Sequence, residues 1–251
     1  MQLSVEKKHT VKAIAFLSCL AGILVVRSFF SFCQTDESFY VAMFQRIWNG
    51  GRMFWDEWNS AQIYVPLMLP FYGLYTWMAG TTDGVILFFR IVTVVFSFYT
   101  SIKLFFLVRK AGGDILGAVA AAGTVLLFCR GNIQGPSYYN LCALCGISGF
   151  CSACSAELKR GRDSEWKQFC AGVLIACSVL CDPFFAPVVI LLVSVGVIAL
   201  KKTRQSAMFC LGIFMMALLY CSFLLLTTGQ KRIFETLPYT LYNRVICTHG
   251  G

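Results

Sequence analysis

Asp36 and Glu37 stand side by side just after the first apolar run of the chain. Adjacent carboxylates at a bilayer surface can take a proton from an attacking hydroxyl or ligate a metal ion. They also suit the first turn of a helix capped by Thr35, where acids are favoured by capping geometry and the helix dipole. A second acidic pair, Asp56-Glu57, is flanked by Trp55 and Trp58. Carboxylates accept from sugar hydroxyls, and indole faces stack on sugar rings; the same aromatics also suit a membrane interface. Arg27, Arg90 and Arg130 sit at the ends of apolar runs. Such cations can hold the charge of a phosphate leaving group, or simply snorkel to headgroups. Arg90 has the strongest setting, between Phe88, Phe89, Ile91 and Val92.

Other reactive residue types say less. Most of the 13 cysteines lie inside apolar runs. Cys142-x-x-Cys145 and Cys151-x-x-Cys154 have the spacing of zinc-ligand pairs, but at about 100° per residue they scatter around a helix axis. Packing between helices is the better reading, and no metal site is assigned. A disulfide between Cys33 and Cys247 has no support beyond their position outside the runs. His9 and His249 have no visible partners.

The elements that must position these residues follow from composition. Of 251 residues, 58% are hydrophobic and 13% charged, with a mean hydropathy of +0.71. Soluble domains are about 45–50% apolar and about 25% charged, so a soluble enzyme and a disordered chain are both set aside. Seven runs have the character of membrane spans: Ala13–Phe32, Val85–Val108, Ile115–Cys129, Leu141–Ala156, Phe169–Cys181, Phe184–Leu200 and Ala207–Leu226. An eighth, Ile63–Met78, is interrupted by Pro66 and Pro70 and reads as a half-inserted or surface helix. With that choice the inner segments carry 13 basic and five acidic residues, the outer ones eight and seven. The net charge of +9 is then an orientation signal rather than a sign of nucleic acid. The expected fold is all-α: a polytopic bundle of seven spans, N-terminus inside and C-terminus outside. Residues 1–226 form the membrane module, with an outer loop over 33–84 and an outer tail over 227–251. Within the loop, Phe39, Met43, Phe44 and Ile47 share one face of an interfacial helix, anchored by Trp48.

This order of elements resembles the GT-C class of polytopic glycosyltransferases, near its protein mannosyltransferase and aminoarabinose transferase branch. The resemblance covers most of the chain as an ordering; Asp36-Glu37 with Tyr40 one turn on, and the setting of Arg90, are its motif-like parts. It implies a sugar donor on polyprenyl phosphate, an extracytoplasmic acceptor, and an active site on the outer face of a bacterial plasma membrane. Asp36 is then the general base, with Glu37 beside it. Arg90, Arg27 and Arg130 hold the lipid phosphate. Tyr40, Trp55, Asp56, Glu57, Trp58, Tyr138, Tyr139 and Asn140 contact sugar or acceptor. No cofactor is specified, although the class leaves room for a divalent cation. Two departures stand out. The next outer loop, Cys129 to Asn140, has no carboxylate where relatives often carry a second acid, and Tyr138, Tyr139 and Asn140 occupy the place. Relatives also continue with further spans beyond the point matching Gly251, so the chain reads as a fragment, a truncated product or a minimal member. Two other readings stay open: a transporter with a polar path through the bundle, and a non-catalytic membrane partner or remnant.

Overall fold

Away from water an apolar segment must satisfy its backbone internally, and a helix does so within one segment. The computed structural model describes residues 2–30, 37–55, 59–157, 162–189 and 203–235, and every regular element among them is helical. The helices are α1 (Gln2–Phe30), α2 (Glu37–Trp48), α3 (Val65–Ala79), α4 (Val85–Lys110), α5 (Ile115–Leu127), α6 (Tyr138–Glu157), α7 (Arg162–Cys181) and α8 (Thr203–Thr227). A 3-10 turn, Ser60–Tyr64, leads into α3, and another, Pro183–Phe185, follows α7.

Four of these helices, α1, α4, α6 and α8, are long and apolar enough to cross a membrane. The other expected spans differ. The run Ile115–Cys129 forms a 13-residue helix ending at Leu127, about 20 Å long against a hydrocarbon core of about 30 Å. Helix α7 carries Arg162, Asp163, Glu165 and Lys167 in its first two turns, so its apolar part is short. Most of Phe184–Leu200 lies outside the described residues.

The stretch Ile63–Met78, read as a half-inserted or surface helix, is helical from Val65 to Ala79 and runs through Pro70. Pro66 lies in the first turn, where no intrahelical donor is needed. The donor missing at Pro70 would have pointed back to that same turn. Gly80, at φ 64°, ends α3 by donating its N–H to Thr76 O at 2.9 Å, a left-handed conformation that suits glycine. One face of α3, with Phe71, Leu74, Trp77 and Met78, is exposed. On the other side Trp48 of α2 lies so close that a Cβ at Gly73 would fall 2.3 Å from its ring.

Two apolar clusters hold the bundle together. Leu17 and Leu24 of α1 pack with Val94 and Phe105 of α4 and with Ala118, Ala122 and Leu126 of α5. The second cluster joins α2, α3 and the start of α4 through Tyr40, Phe44, Met53, Tyr64, Tyr72 and Phe89. Small residues bring α6, α7 and α8 together, as expected where helices meet in an apolar medium. A Cβ at Gly172 of α7 would stand 2.1 Å from Phe209 O of α8, and one at Gly212 would stand 2.3 Å from Phe169 O. Lys103, one of the 13 basic residues assigned to the inner segments, lies within α4. Its ammonium donates to Ser148 O at 2.9 Å, Ser148 Oγ at 2.9 Å and Ser152 Oγ at 2.5 Å, all on α6.

The helix ends gather in two groups. At one end of the bundle Glu6 of α1 meets Arg109 of α4, while Glu165 of α7 meets Arg204 of α8 at 2.9 Å. At the other end lie the last turn of α1, the starts of α2, α4 and α6, and the last turns of α7 and α8.

Candidate functional site

Glu37 is the first residue of α2, and Arg90 lies in the second turn of α4. The last turn of α1 and the loop between α5 and α6 close around them. Arg90 grips the carboxylate with two hydrogen bonds, Nε to Oε1 at 2.8 Å and Nη2 to Oε2 at 2.7 Å. Its Nη1 donates to Ser28 O of α1 at 2.8 Å. The side chains are only 11% and 5% exposed for Arg90 and Glu37. A bidentate, charge-assisted pair is a strong and directional contact. Gly135 lies against the carboxylate: a Cβ there would stand 3.3 Å from Oε1. The pair therefore joins α1, α2, α4 and the α5–α6 loop at one point.

One turn along α2, Tyr40 is buried between two other tyrosines. Its ring meets Tyr64 and Tyr138 edge-on, with centroids 6.0 and 5.9 Å apart. Tyr64 is fully buried and donates its hydroxyl to Pro136 O at 2.9 Å. Burial pushes the Tyr64 phenol well above its usual range, and the neighbouring Tyr40 adds to this. It is thus a neutral donor that ties the α5–α6 loop to the turn before α3.

The arginines take different settings. Arg27, in the last turn of α1, donates to the carbonyl of Asn132. Arg130 is exposed, with its guanidinium carbon 3.4 Å above the Tyr139 ring centroid. Arg27 and Arg90 thus hold neighbouring backbone, whereas Arg130 stacks on Tyr139. Asn140 is buried: its Oδ1 accepts from the Arg130 N–H at 2.8 Å, and its Nδ2 donates to Gly135 O at 3.2 Å. Its amide shapes the loop.

Trp55 lies farther out, 42% exposed, with Arg52 and Arg232 at 5.0 and 5.3 Å from its ring centroid. Its Nε1–H donates to Thr228 O at 3.2 Å, and Thr228 Oγ1 donates to Met53 O at 3.2 Å. The chain beyond α8 is thereby fastened to the loop after α2. Asp36, Asp56, Glu57 and Trp58 lie outside the described residues, as do Thr35, Cys33 and Cys247.

Several residues that build this site were not singled out in the sequence. Ser28 acts through its carbonyl, which no side-chain pattern signals. Gln62 is fully buried; its Oε1 accepts from Arg46 Nη2 at 2.9 Å and from Phe54 N–H at 3.2 Å. Phe54 has a φ of 60°, a conformation rare for a bulky residue, and this bond helps hold it. The one available signal was Gly135-Pro136, a turn dipeptide in an outer loop. Among the described residues, no three His, Cys, Asp or Glu side chains converge to share a metal ion. Cys142 instead lies against α7, with its Sγ 3.3 Å from Ser178 Oγ.

No protein-family model, curated protein or solved structure matches the chain.

Proposed function

We propose that the chain is a GT-C-type membrane glycosyltransferase, moving a sugar from a polyprenyl-phosphate donor to an extracytoplasmic acceptor. The observation that carries the reading is the buried Glu37–Arg90 pair at the mouth of an apolar bundle. Both Glu37 oxygens accept from Arg90, so Glu37 serves to position the chain, and proton removal falls to its neighbour Asp36. As the acceptor oxygen bonds to the anomeric carbon, its proton passes to Asp36 and the lipid phosphate leaves with the bonding electron pair. Exposed Arg27 and Arg130, near the same end, are suited to that phosphate charge. Tyr138, Tyr139 and Trp55 offer ring faces to sugar or acceptor. The exposed apolar face of α3 suits a helix lying in the membrane interface.

The topology proposed with this reading has seven crossings, N-terminus inside and C-terminus outside. Supporting it, Lys7, Lys8, Lys12, Arg109 and Lys110 gather near the bundle end opposite Glu37 and Arg90, as expected of cytoplasmic ends. The α5 helix then packs one face, through Ala118, Ala122 and Leu126, against α1 and α4 rather than spanning alone.

The test is sugar transfer from a lipid-linked donor by the purified protein in lipid nanodiscs. Asp36→Asn is expected to lower transfer at least about 100-fold with helicity unchanged. Transfer at the wild-type rate would remove Asp36 as the base. A transporter is the second reading, favoured by Lys103, a cation inside a spanning helix with no ion-pair partner among the described residues. Uptake of labelled substrate into proteoliposomes, lost in Lys103→Met, would support it over the first.

A further inference from the structure

At the bundle end opposite Glu37 and Arg90, a cavity of about 380 Å³ opens between the first turns of α1 and the last turns of α4. Lys7, Arg109 and Lys110 line it with Glu6, and Phe105 and Phe106 form its apolar side. Three cations thus face one carboxylate. Glu6 is taken up by Arg109, whose Nη1 also donates to Gly113 O at 2.7 Å. That leaves Lys7 and Lys110 as two exposed positive charges, neither with an ion-pair partner among the described residues. Phe105 is fully buried in the α1–α4–α5 cluster, while Phe106 is 40% exposed beside it.

Both helices are long and apolar enough to cross a bilayer, so this mouth falls at headgroup depth. A ligand that fits carries a compact negative charge for the lysines and an apolar chain for Phe106. A soluble phosphate uses only the first feature and a neutral lipid only the second. Basic pockets between spanning helices favour anionic headgroups for this reason. We infer that the cavity binds the phosphate of an anionic phospholipid, with an acyl chain lying along Phe106. This site is remote from the proposed transferase centre and does not depend on that activity.

The test is native mass spectrometry of the full chain in detergent, titrated separately with phosphatidylglycerol, phosphatidylcholine and inorganic phosphate. Phosphatidylglycerol is expected to bind at least about tenfold more tightly than phosphatidylcholine. The double variant K7Q/K110Q is expected to lose that preference, with each single variant losing part of it. K8Q, an exposed lysine on α1 outside the cavity lining, is expected to keep it. Equal binding of the two lipids, or an unchanged preference in K7Q/K110Q, overturns the site. Inorganic phosphate binding as tightly as phosphatidylglycerol overturns its assignment to a lipid.

Discussion

The contact between Glu37 and Arg90 can be tested as a thermodynamic cycle. Replacing Arg90 by Met removes, among its bonds, two to the Glu37 carboxylate and one to Ser28 O. The carboxylate left behind is only 5% exposed, so water screens little of its charge. Removing one partner of a buried ion pair costs about 3–5 kcal/mol, largely because the other charge is stranded. R90M is therefore expected to lose about 3–5 kcal/mol, and E37Q, which takes the opposite charge away from the guanidinium, about 3 kcal/mol. E37Q/R90M strands neither charge. Its loss should fall short of the sum of the singles by about 2–3 kcal/mol. The assay is unfolding in mixed micelles at rising dodecyl sulfate, followed by helical circular dichroism. Additive losses in the double variant would refute the coupling, and single-variant losses below about 1 kcal/mol would refute the burial argument. On the proposed transferase reading, sugar transfer should be lost in all three variants, because each removes the Glu37–Arg90 bond next to the proposed base.

Two other sites give predictions of a different kind. Gly172→Ala and Gly212→Ala each place a methyl group against a backbone carbonyl of the facing helix. Each should force α7 and α8 apart and cost about 1–3 kcal/mol, read in the same micelle assay; an unchanged midpoint would mean that the helices are farther apart. Tyr64 connects stability to pH. Its folded-state pKa is raised by burial, so its contribution is complete below about pH 10 and is lost as pH rises toward the folded value. Tyr64→Phe should cost about 1–3 kcal/mol at neutral pH by orphaning Pro136 O. Above about pH 10 its stability should fall less steeply than that of the wild type, by up to about 1.4 kcal/mol per pH unit. Parallel curves for the two proteins through that range would show that Tyr64 titrates normally.

Among the described residues, hydropathy located most of the helices and one-face spacing located α2, because a long apolar segment satisfies its backbone most simply within a helix. It located their ends less well. Gly80 ends α3 through backbone geometry, whereas Pro70 lies inside α3 without ending it. Glu37 and Arg90 were each noticeable as charges beside apolar residues. Their pairing was not, because 53 residues separate them and no local periodicity spans that distance. Arg90 was expected at a lipid phosphate; within the protein its guanidinium meets a carboxylate and a carbonyl. Asn140 was expected at a ligand; within the protein its amide holds the loop. Short-range pattern thus identified the polar groups, while tertiary packing decided what each of them contacts.

Lys103 makes the order of synthesis matter. Its three acceptors all belong to Ser148 and Ser152, 45 and 49 residues further along the chain. At about 5–20 residues per second, a ribosome needs roughly 2–10 s to make that stretch. Throughout this interval α4 carries a lysine that the lipid disfavours, by up to about 3 kcal/mol near the bilayer centre. If α4 crosses the bilayer, Lys103, about two turns from its end, would reach toward the headgroups until α6 is made. Maturation of this bundle then includes a handover, in which a solvated cation exchanges water or phosphate for two serines.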